Sequence, residues 1–256
     1  MNRFIKTTIA LASAAIIVPA YAQDTSVTPA ERAKIESVVK DYLIKNPEVI
    51  VQSMQEMQKK QYQEAEKTIQ TTQKTASQFV EPLFHGKNDP MTGNANGKIT
   101  VVEFFDYQCP HCVDMAPVIE GIVKANPDVR IVFKEFPIRG PLSEFAARAA
   151  LAANKQGKYY EFSHALLISK EPLTQESALE TAKKVGVNVD QLKKDMADKS
   201  VDEQLKANIK LAQDLKLFGT PAFFIGKTDA KAPGSVSYIP GQMDQTQMQS
   251  TIDKAK

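Results

Sequence analysis

The sequence predicts an α/β fold that carries an inserted helical subdomain and an N-terminal helical extension. Three observations lead to this. Residues 98–136 show a strand, a helix and a second strand in succession, which is the pattern of a right-handed parallel crossover. Residues 137–220 are rich in helix signals before another apolar strand begins at residue 222. Residues 28–78 carry two further helical patterns ahead of the α/β part.

Composition excludes several classes of protein. With 256 residues, 43% hydrophobic and 24% charged, the chain fits one core domain with additions. A net charge of +2 gives no electrostatic footprint for nucleic acid, so we expect no such partner. Two cysteines cannot form a disulfide-rich scaffold.

The first 22 residues have the pattern of a signal peptide. Arg3 and Lys6 precede an apolar stretch at 9–18, and Ala20-Tyr21-Ala22 is a small-x-small cleavage pattern. A membrane anchor is the alternative, but this apolar stretch is too short to span a bilayer. We therefore expect cleavage after Ala22 and export to the periplasm, an oxidising compartment. The remaining chain would have 30 basic and 30 acidic residues.

Residues 23–80 are predicted to form the helical extension. Thr28 and Glu31 form a capping box with Pro29 at the first helical position. An apolar stripe follows at Ile35, Val38, Val39, Tyr42 and Leu43. Asn46-Pro47 ends this helix, and a second helix with a thin apolar face should run to about Gln78. We expect residues 28–60 to mediate homodimerisation, with a solvated stalk or partly disordered linker as the alternative.

A linker is predicted at residues 81–98 and the α/β domain at 99–256. The linker assignment depends on five proline and glycine residues: Pro82, Gly86, Pro90, Gly93 and Gly97. The run of β-branched and aromatic residues at 98–105 predicts a buried strand. Asp106-Tyr107-Gln108 and a Cys109-Pro110-His111-Cys112 motif follow, and apolar residues then recur at helical spacing up to Asn126. This places Cys109 at a helix N-terminus, and residues 129–136 form the next strand.

The insert, at about residues 141–218, should contain five helices. Ser143 is the predicted cap of the first, and residues 158–168 form the second. The third begins at Thr174 and ends at Gly186, and the fourth covers residues 188–197. Ser200 and Glu203 form a predicted capping box for the fifth, which Gly219 should end. Packing over the sheet is the simplest role for these helices.

The C-terminal part begins with a proline directly before an apolar strand. Pro221 precedes the strand at 222–226 and removes one ladder donor, and the cis form is accessible to the Thr220–Pro221 bond. Residues 235–239 should pair with this strand as a hairpin, and residues 244–255 should close the domain as a helix.

The cysteine pair is best explained as a reversible dithiol. A structural disulfide that closes so short a loop would stabilise the fold by only about 2 kcal/mol, against about 3 kcal/mol for a loop of fifteen residues. A zinc site needs four ligands, and the only histidines are His85, His111 and His164. A structural disulfide and half of a zinc site remain as alternatives, and we expect no metal.

These residues together resemble a known family. The Cys109-Pro110-His111-Cys112 centre, Glu103 on the strand before it, and Thr220-Pro221 before a later strand are similar to the thioredoxin fold. The Pro-His dipeptide and the helical insert resemble the DsbA family of exported thiol-disulfide oxidoreductases, in the subgroup with an N-terminal helical dimerisation extension. The resemblance covers residues 95–256 and, loosely, 28–80. It implies that the insert forms one wall of a substrate groove.

One departure leaves the type of activity open. The oxidant of this family carries Val before its cis-proline, whereas Thr220 is similar to the disulfide isomerases and reductases. We therefore expect an enzyme that forms and isomerises disulfides in reduced or unfolded exported proteins and is recycled by a membrane redox partner, without a cofactor. The alternatives are a dimeric isomerase or reductase kept reduced, and a non-catalytic protein that binds copper or clients.

The chemistry assigns a role to each site residue. Cys109 should be an accessible nucleophile with a lowered pKa, stabilised as a thiolate by the helix N-terminus and by His111. Cys112, one turn further, should be buried and resolve the mixed disulfide. Glu103 should lie beneath it as a proton acceptor with a raised pKa, unless it forms a salt bridge with Lys134. The backbone at Thr220 and Pro221 should pair with an extended substrate strand.

Overall fold

The computed structural model describes residues 27–256. The predicted signal peptide lies outside these residues. The chain divides into two compact units, and the boundary falls after Lys59. Within residues 27–256, no helix is both long and apolar enough to cross a membrane.

The first unit contains helix α1, Pro29–Lys45, and the beginning of helix α2, Glu48–Thr75. The predicted capping box is present, since Glu31 N donates to Thr28 Oγ1 at 3.3 Å and Thr28 N donates to Glu31 Oε2 at 3.0 Å. No residue of α1 is buried. The exposed apolar side chains of this unit are Val27, Ile35, Val38, Val39, Tyr42, Ile44, Ile50, Val51, Met54 and Met57.

The end of α2 belongs to the second unit and is fixed there by hydrogen bonds. Thr72 Oγ1 donates to the carbonyl of Leu215 at 2.8 Å. Gln73 Nε2 donates to the carbonyl of Val236 at 2.9 Å, and its Oε1 accepts from the Tyr238 amide at 2.7 Å. A short 3-10 turn, Ala76–Phe79, and helix α3, Val80–Phe84, follow, so the α-helix ends three residues earlier than Gln78.

Residues 81–98 are not the free linker that the glycines and prolines predicted. Leu83 and Phe84 are buried, and strand β1, Met91–Gly93, pairs antiparallel with strand β3, Val129–Glu135. Asp89 is buried and forms an ion pair with Lys134 of β3. The segment has too few apolar residues to show a periodic pattern, yet Leu83 and Phe84 are anchored in the core.

The sheet has the order β1-β3-β2-β4-β5. Strand β2, Ile99–Phe105, is parallel to β3 and antiparallel to β4, Ala222–Lys227, which pairs antiparallel with β5, Val236–Pro240. Helix α4, Pro110–Ala125, connects β2 to β3, and helix α10, Gln245–Ala255, ends the chain. This arrangement is the core of a thioredoxin-like fold and confirms the predicted fold class.

The insert forms five helices, as predicted: α5, Pro141–Asn154; α6, Tyr159–Leu167; α7, Gln175–Lys184; α8, Val189–Met196; and α9, Lys199–Asp214. Two predicted caps are wrong. Gly140 precedes α5, while the Ser143 hydroxyl instead donates to Asp106. Asp198 caps α9 by accepting from the Ser200 amide at 2.8 Å. That helix also ends at Asp214, well before Gly219.

Buried residues form one apolar layer on each face of the sheet. Val101 and Phe105 of β2 face the layer that contains the insert helices and both cysteines. Val102 and Phe104 face the other layer, which contains Leu83 and Phe84. Because side chains alternate along a strand, Glu103 lies on the same face as the cysteines.

Candidate active site

Cys109 lies at the N-cap of α4, as the sequence predicted, and Cys112 lies in the first turn. The carbonyl of Cys109 accepts from the amides of Cys112 at 3.0 Å and Val113 at 3.1 Å. Both cysteines are free thiols, so the structure represents the reduced state. Unpaired amides of a first helical turn and the positive end of the helix dipole favour an anion at this position.

The environment lowers the pKa of Cys109 below its ordinary value. Burial by itself raises the pKa, but hydrogen bonds with Thr220, with Cys112 and with the His111 backbone outweigh it. The Cys109 Sγ atom donates to the Thr220 carbonyl at 3.2 Å. That contact belongs to the protonated thiol, because a thiolate has no proton to donate. The backbone amides of His111 and Cys112 at the start of α4 are the contacts that favour the thiolate expected from the sequence.

The expectation that Cys109 is accessible is wrong for this state. Its exposed fraction is 0%, although the neighbouring Pro110 and His111 are exposed. The backbone of Thr220 lies against its sulfur, which sequence spacing could not reveal, because the two residues are far apart in the chain. An incoming sulfur atom must therefore replace the contact between Cys109 and the Thr220 carbonyl.

Glu103 and Cys112 are both buried, and each has a raised pKa. Burial raises the pKa of Glu103 to about 8, and the negative charge on Cys109 adds to the rise. Burial, followed by the charge on Glu103, raises the pKa of Cys112 well above its ordinary value. The alternative salt bridge between Glu103 and Lys134 is absent: Lys134 pairs across the strands with Phe104, on the other face, and binds Asp89.

The Thr220–Pro221 bond is cis, and the segment borders both Cys109 and β5. The Pro221 carbonyl accepts from the Gly241 amide at 2.8 Å. Thr220 Oγ1 is buried and has no hydrogen-bond partner among residues 27–256. The structure thus places Thr220 and Pro221 beside the dithiol.

Asp106 is a site residue that the sequence prediction missed. Its carboxylate accepts from the Gln108 amide at 2.7 Å and the Ser143 hydroxyl at 2.7 Å. It also accepts from the amides of Ile138 at 2.8 Å and Arg139 at 2.9 Å. An aspartate directly after a strand is a signal for such local backbone bonds. The partners from the distant segment at 138–143 have no such signal.

Gln242 was also missed. His111 is exposed, and its Nδ1 atom lies 2.7 Å from Gln242 Oε1. Gln242 is far from the Cys motif in sequence, in the loop between β5 and α10, so no spacing rule could find it. The contact orients the imidazole beside the N-terminus of α4.

The other two histidines lie at ordinary polar positions. His85 Nε2 lies 2.9 Å from the carbonyl of Thr228, and His164 Nε2 lies 3.7 Å from Glu120 Oε2. Across the part of the chain that the structure describes, no three His, Cys, Asp or Glu side chains cluster in a way that could hold a metal ion.

A thioredoxin-like sheet with a reduced cysteine pair at the start of α4 and a cis-proline beside it defines a protein of the thiol-disulfide oxidoreductase class. Residues 100–253 match the family described as "DSBA-like thioredoxin domain", and the chain belongs to this family. Residues 31–64 match a second family, described as "Copper resistance protein ScsC N-terminal domain".

Solved structures show the same likeness. A thioredoxin-like oxidoreductase from Silicibacter pomeroyi is 40% identical, with a TM-score of 0.63 over 68% of this chain and 96% of that one. BcfH from Salmonella enterica Typhimurium is 33% identical, with a TM-score of 0.65 over 88% and 96%. Proteus mirabilis ScsC in a transitional conformation is 25% identical, with a TM-score of 0.61 over 91% and 98%.

Curated relatives include two kinds of protein. The thiol:disulfide interchange protein DsbA of Bordetella parapertussis is 31% identical over 147 residues, 54% of this chain and 68% of that protein. A Na(+)/H(+) antiporter NhaA of Salinispora tropica is 28% identical over 153 residues, 59% of this chain. The aligned part spans about a quarter of the antiporter, 24% of its length.

Proposed function

We propose that the chain is a periplasmic thiol-disulfide oxidoreductase that forms and isomerises disulfide bonds in exported proteins through its Cys109–Cys112 pair. The observation that carries this proposal is the lowered pKa of Cys109 at the N-terminus of α4, beside the cis Thr220–Pro221 bond. A thiolate is both the nucleophile and the better leaving group in disulfide exchange.

Disulfide formation begins from the oxidised pair. A substrate thiolate attacks Cys109 Sγ, the Cys109–Cys112 bond breaks, and Cys112 leaves with the electron pair. A second substrate thiolate then attacks the substrate sulfur of the mixed disulfide, and Cys109 leaves as a thiolate. The substrate loses two electrons and the enzyme gains them. A membrane redox partner would remove these electrons to restore the disulfide.

The lowered pKa of Cys109 sets the direction of this exchange. Stabilising the thiolate stabilises the reduced enzyme, so its disulfide becomes more oxidising. Each pKa unit corresponds to about 1.4 kcal/mol, which for this two-electron couple is about 30 mV of reduction potential.

Glu103 accounts for the proton of Cys112. When Cys112 leaves the disulfide as a thiolate beneath the surface, the nearby carboxyl, with its pKa of about 8, can donate a proton to it. In the reverse step, the carboxylate accepts that proton as Cys112 attacks the mixed disulfide. Each transfer leaves the net charge of the pair unchanged and moves the negative charge off the Cys112 sulfur or back onto it, so the thiolate exists only while it leaves or attacks.

Trapping the mixed disulfide tests this function. In the Cys112→Ser variant, the Cys109 thiolate can attack a disulfide of a scrambled test protein and release one substrate thiolate. No second enzyme thiol is present to resolve the mixed disulfide, so a covalent complex should accumulate. The Cys109→Ser variant is the matched control and should form none. Equal trapping by both variants, or none by either, would contradict the proposed roles.

A second candidate is a dimeric isomerase or reductase that is kept reduced. Apolar residues on α1 and the start of α2 form a groove lined by Ile35, Val39, Leu43, Ile44 and Ile50, all of them exposed except the half-buried Leu43, and this groove suits self-association. A homodimer through residues 28–60 would bring two active sites into one assembly. Thr220 before the cis-proline is similar to the residue that disulfide isomerases and reductases carry there, which supports an isomerase or reductase role.

The redox state of the cysteines in cells separates these candidates. An oxidase should be recovered mainly as the Cys109–Cys112 disulfide, and an isomerase mainly as the dithiol, when thiols are trapped at harvest. A role in binding copper or clients would be favoured if a variant with both cysteines replaced still supported growth under the relevant stress.

A further inference from the structure

A third buried carboxyl lies behind the dithiol, at Glu135, the last residue of β3. Its exposed fraction is 1%. Its Oε1 atom lies 2.9 Å from the hydroxyl oxygen of Tyr107 and 2.7 Å from that of Tyr159. The Tyr107 hydroxyl also lies 3.0 Å from Ser163 Oγ. Neither the sequence prediction nor the exchange chemistry gives Glu135 a role.

The contacts favour a neutral acid at this position. Glu135 Oε2 is buried without a hydrogen-bond partner among the described residues. An ionised carboxylate would leave half of its charge there unpaired, which costs more free energy than an unpaired neutral carbonyl oxygen. A proton on Oε1 satisfies the remaining contacts, because Glu135 can then donate to Tyr107, which donates to Ser163.

The charges that face Glu135 act in the same direction. Burial raises the pKa of Glu135 to about 8, and the acids Asp106 and Glu103 add to the rise, while the hydrogen bonds with Tyr159 and Tyr107 oppose it. The adjacent Lys134 points to the other face of the sheet, where it binds Asp89.

Tyr107 connects this acid to the reactive cysteine. It lies two residues before Cys109, whose amide donates to the Asp106 carbonyl at 3.1 Å. The ring of Tyr107 packs edge-on against Phe105 of β2, with the two ring centroids 5.1 Å apart. Tyr159 and Ser163 belong to α6 of the insert. Glu135 therefore joins β3, the segment before α4 and the insert at one point.

We propose that Glu135 is a positioning residue for thiol exchange: as a neutral acid it holds Tyr107 against the insert and so keeps Cys109 aligned with the N-terminus of α4. It contacts neither cysteine, and its effect passes through Tyr107. This inference rests on the proposed function of the Cys109–Cys112 pair.

The pH dependence of Cys109 alkylation by iodoacetamide tests the inference in the full mature chain. Glu135→Gln keeps a neutral group that both donates and accepts, so its titration midpoint should match that of the wild type. Glu135→Ala removes the partner of Tyr107, so the midpoint should rise. Below the wild-type midpoint, alkylation should then be up to about tenfold slower, the equivalent of one pKa unit.

Two tyrosine variants separate positioning from a general packing defect. Tyr107→Phe and Tyr159→Phe each remove one hydroxyl that contacts the same Glu135 oxygen, but only Tyr107 belongs to the segment that leads to Cys109. Tyr107→Phe should raise the midpoint as Glu135→Ala does, whereas Tyr159→Phe should leave it unchanged. Equal shifts for the two tyrosine variants, or no shift for Tyr107→Phe, would overturn the inference.

Infrared spectroscopy reports the protonation state of Glu135 directly. The difference between wild type and Glu135→Gln at neutral pH should contain the carbonyl stretching band of a protonated carboxyl group. A carboxylate band in its place would overturn the neutral-acid role. If the pKa of Cys109 has its ordinary value in the wild type, the proposed function fails. If it is lowered in the wild type but the Glu135 and Tyr107 variants show no shift, only the positioning role of Glu135 fails.

Discussion

At the scale of single residues, the site depends on two sulfur atoms three positions apart with opposite pKa shifts. Cys109 lies at the N-cap of α4, where hydrogen bonds outweigh the effect of burial on its pKa. Cys112 lies one turn further, where burial and Glu103 raise its pKa. This difference supports the proposed roles, in which Cys109 exchanges with substrates and Cys112 resolves the mixed disulfide.

The lowered pKa of Cys109 should make the reduced protein more stable than the oxidised one. A group whose pKa is lower in the folded state contributes stability above its unfolded pKa, and this contribution is lost as the pH falls through the folded pKa. We expect reduced protein to melt at the higher temperature near neutral pH, below the ordinary thiol pKa above which the raised pKa of Cys112 acts in the opposite direction, and the advantage to disappear in acid. Calorimetry of both redox states across pH measures this. The Cys109→Ser variant should lack the part of the reduced protein's stability that depends on the ionisation of Cys109. An oxidised form that is more stable than the reduced form at every pH would contradict a lowered pKa of Cys109.

Glu103 should have the reverse effect on stability. Its pKa rises from 4.5 to about 8 on folding, so the folded state holds a proton that the unfolded state releases between these values. Stability is therefore lost as the pH rises through that window. We expect Glu103→Gln to be more stable than the wild type above pH 8, by at most about 5 kcal/mol, with little difference below pH 4.5.

The same Glu103→Gln variant should resolve mixed disulfides more slowly, because Cys112 loses its proton acceptor. Urea unfolding at several pH values and single-turnover exchange measure the two effects. Unchanged exchange in a stabilised variant would remove Glu103 from the proton step and leave it as a buried acid only.

At the scale of elements, the start of α4 is fixed by the carboxylate of Asp106. It accepts four hydrogen bonds, three from backbone amides and one from Ser143. Asp106→Ala would remove the acceptor of these buried and partly buried donors, so we expect a loss of about 2–4 kcal/mol and a higher titration midpoint for Cys109. Urea unfolding and alkylation at varied pH measure both quantities.

Ser143→Ala is the matched control for Asp106→Ala. It removes one of the four donors and leaves the backbone contacts in place, so it should cost about 1 kcal/mol and leave the Cys109 midpoint unchanged. A midpoint that is insensitive to Asp106→Ala would show that the helix start is held by other contacts.

Local signals predicted those elements whose decisive partners are close in sequence. The strand at 99–105, the helix after the cysteines and the strand at 129–135 follow from periodicity, and the capping box at Thr28 is made within one turn. Ser143 was misassigned because serine is a good N-cap, while its actual partner is a carboxylate 37 residues away. The segment at 81–98 was misassigned for the same physical reason, since strand β1 exists only through its pairing with β3.

At the scale of the whole molecule, residues 27–59 present apolar side chains that the unit itself does not cover. Ile35, Val39 and Ile44 are 53%, 49% and 66% exposed, and covering such surface provides about 25 cal/mol per Å². If these residues mediate a homodimer, Val39→Glu should place a charge in its interface and yield monomers. The substitution should leave the fold intact, because no residue of α1 is buried.

Sedimentation of residues 23–256 without substitution, with Val39→Glu and with Ser37→Glu tests this assembly. Ser37 is exposed on a different face of α1, so the charge added at Ser37 should leave the assembly unchanged. We expect a mass of two chains for the wild type and the control, and one chain for Val39→Glu. Each monomer keeps its own Cys109–Cys112 pair, so the rate of disulfide formation should persist in Val39→Glu, whereas isomerisation of a scrambled protein should fall. A wild type that sediments as one chain would exclude self-association, and a monomeric variant with full isomerase activity would show that one active site suffices.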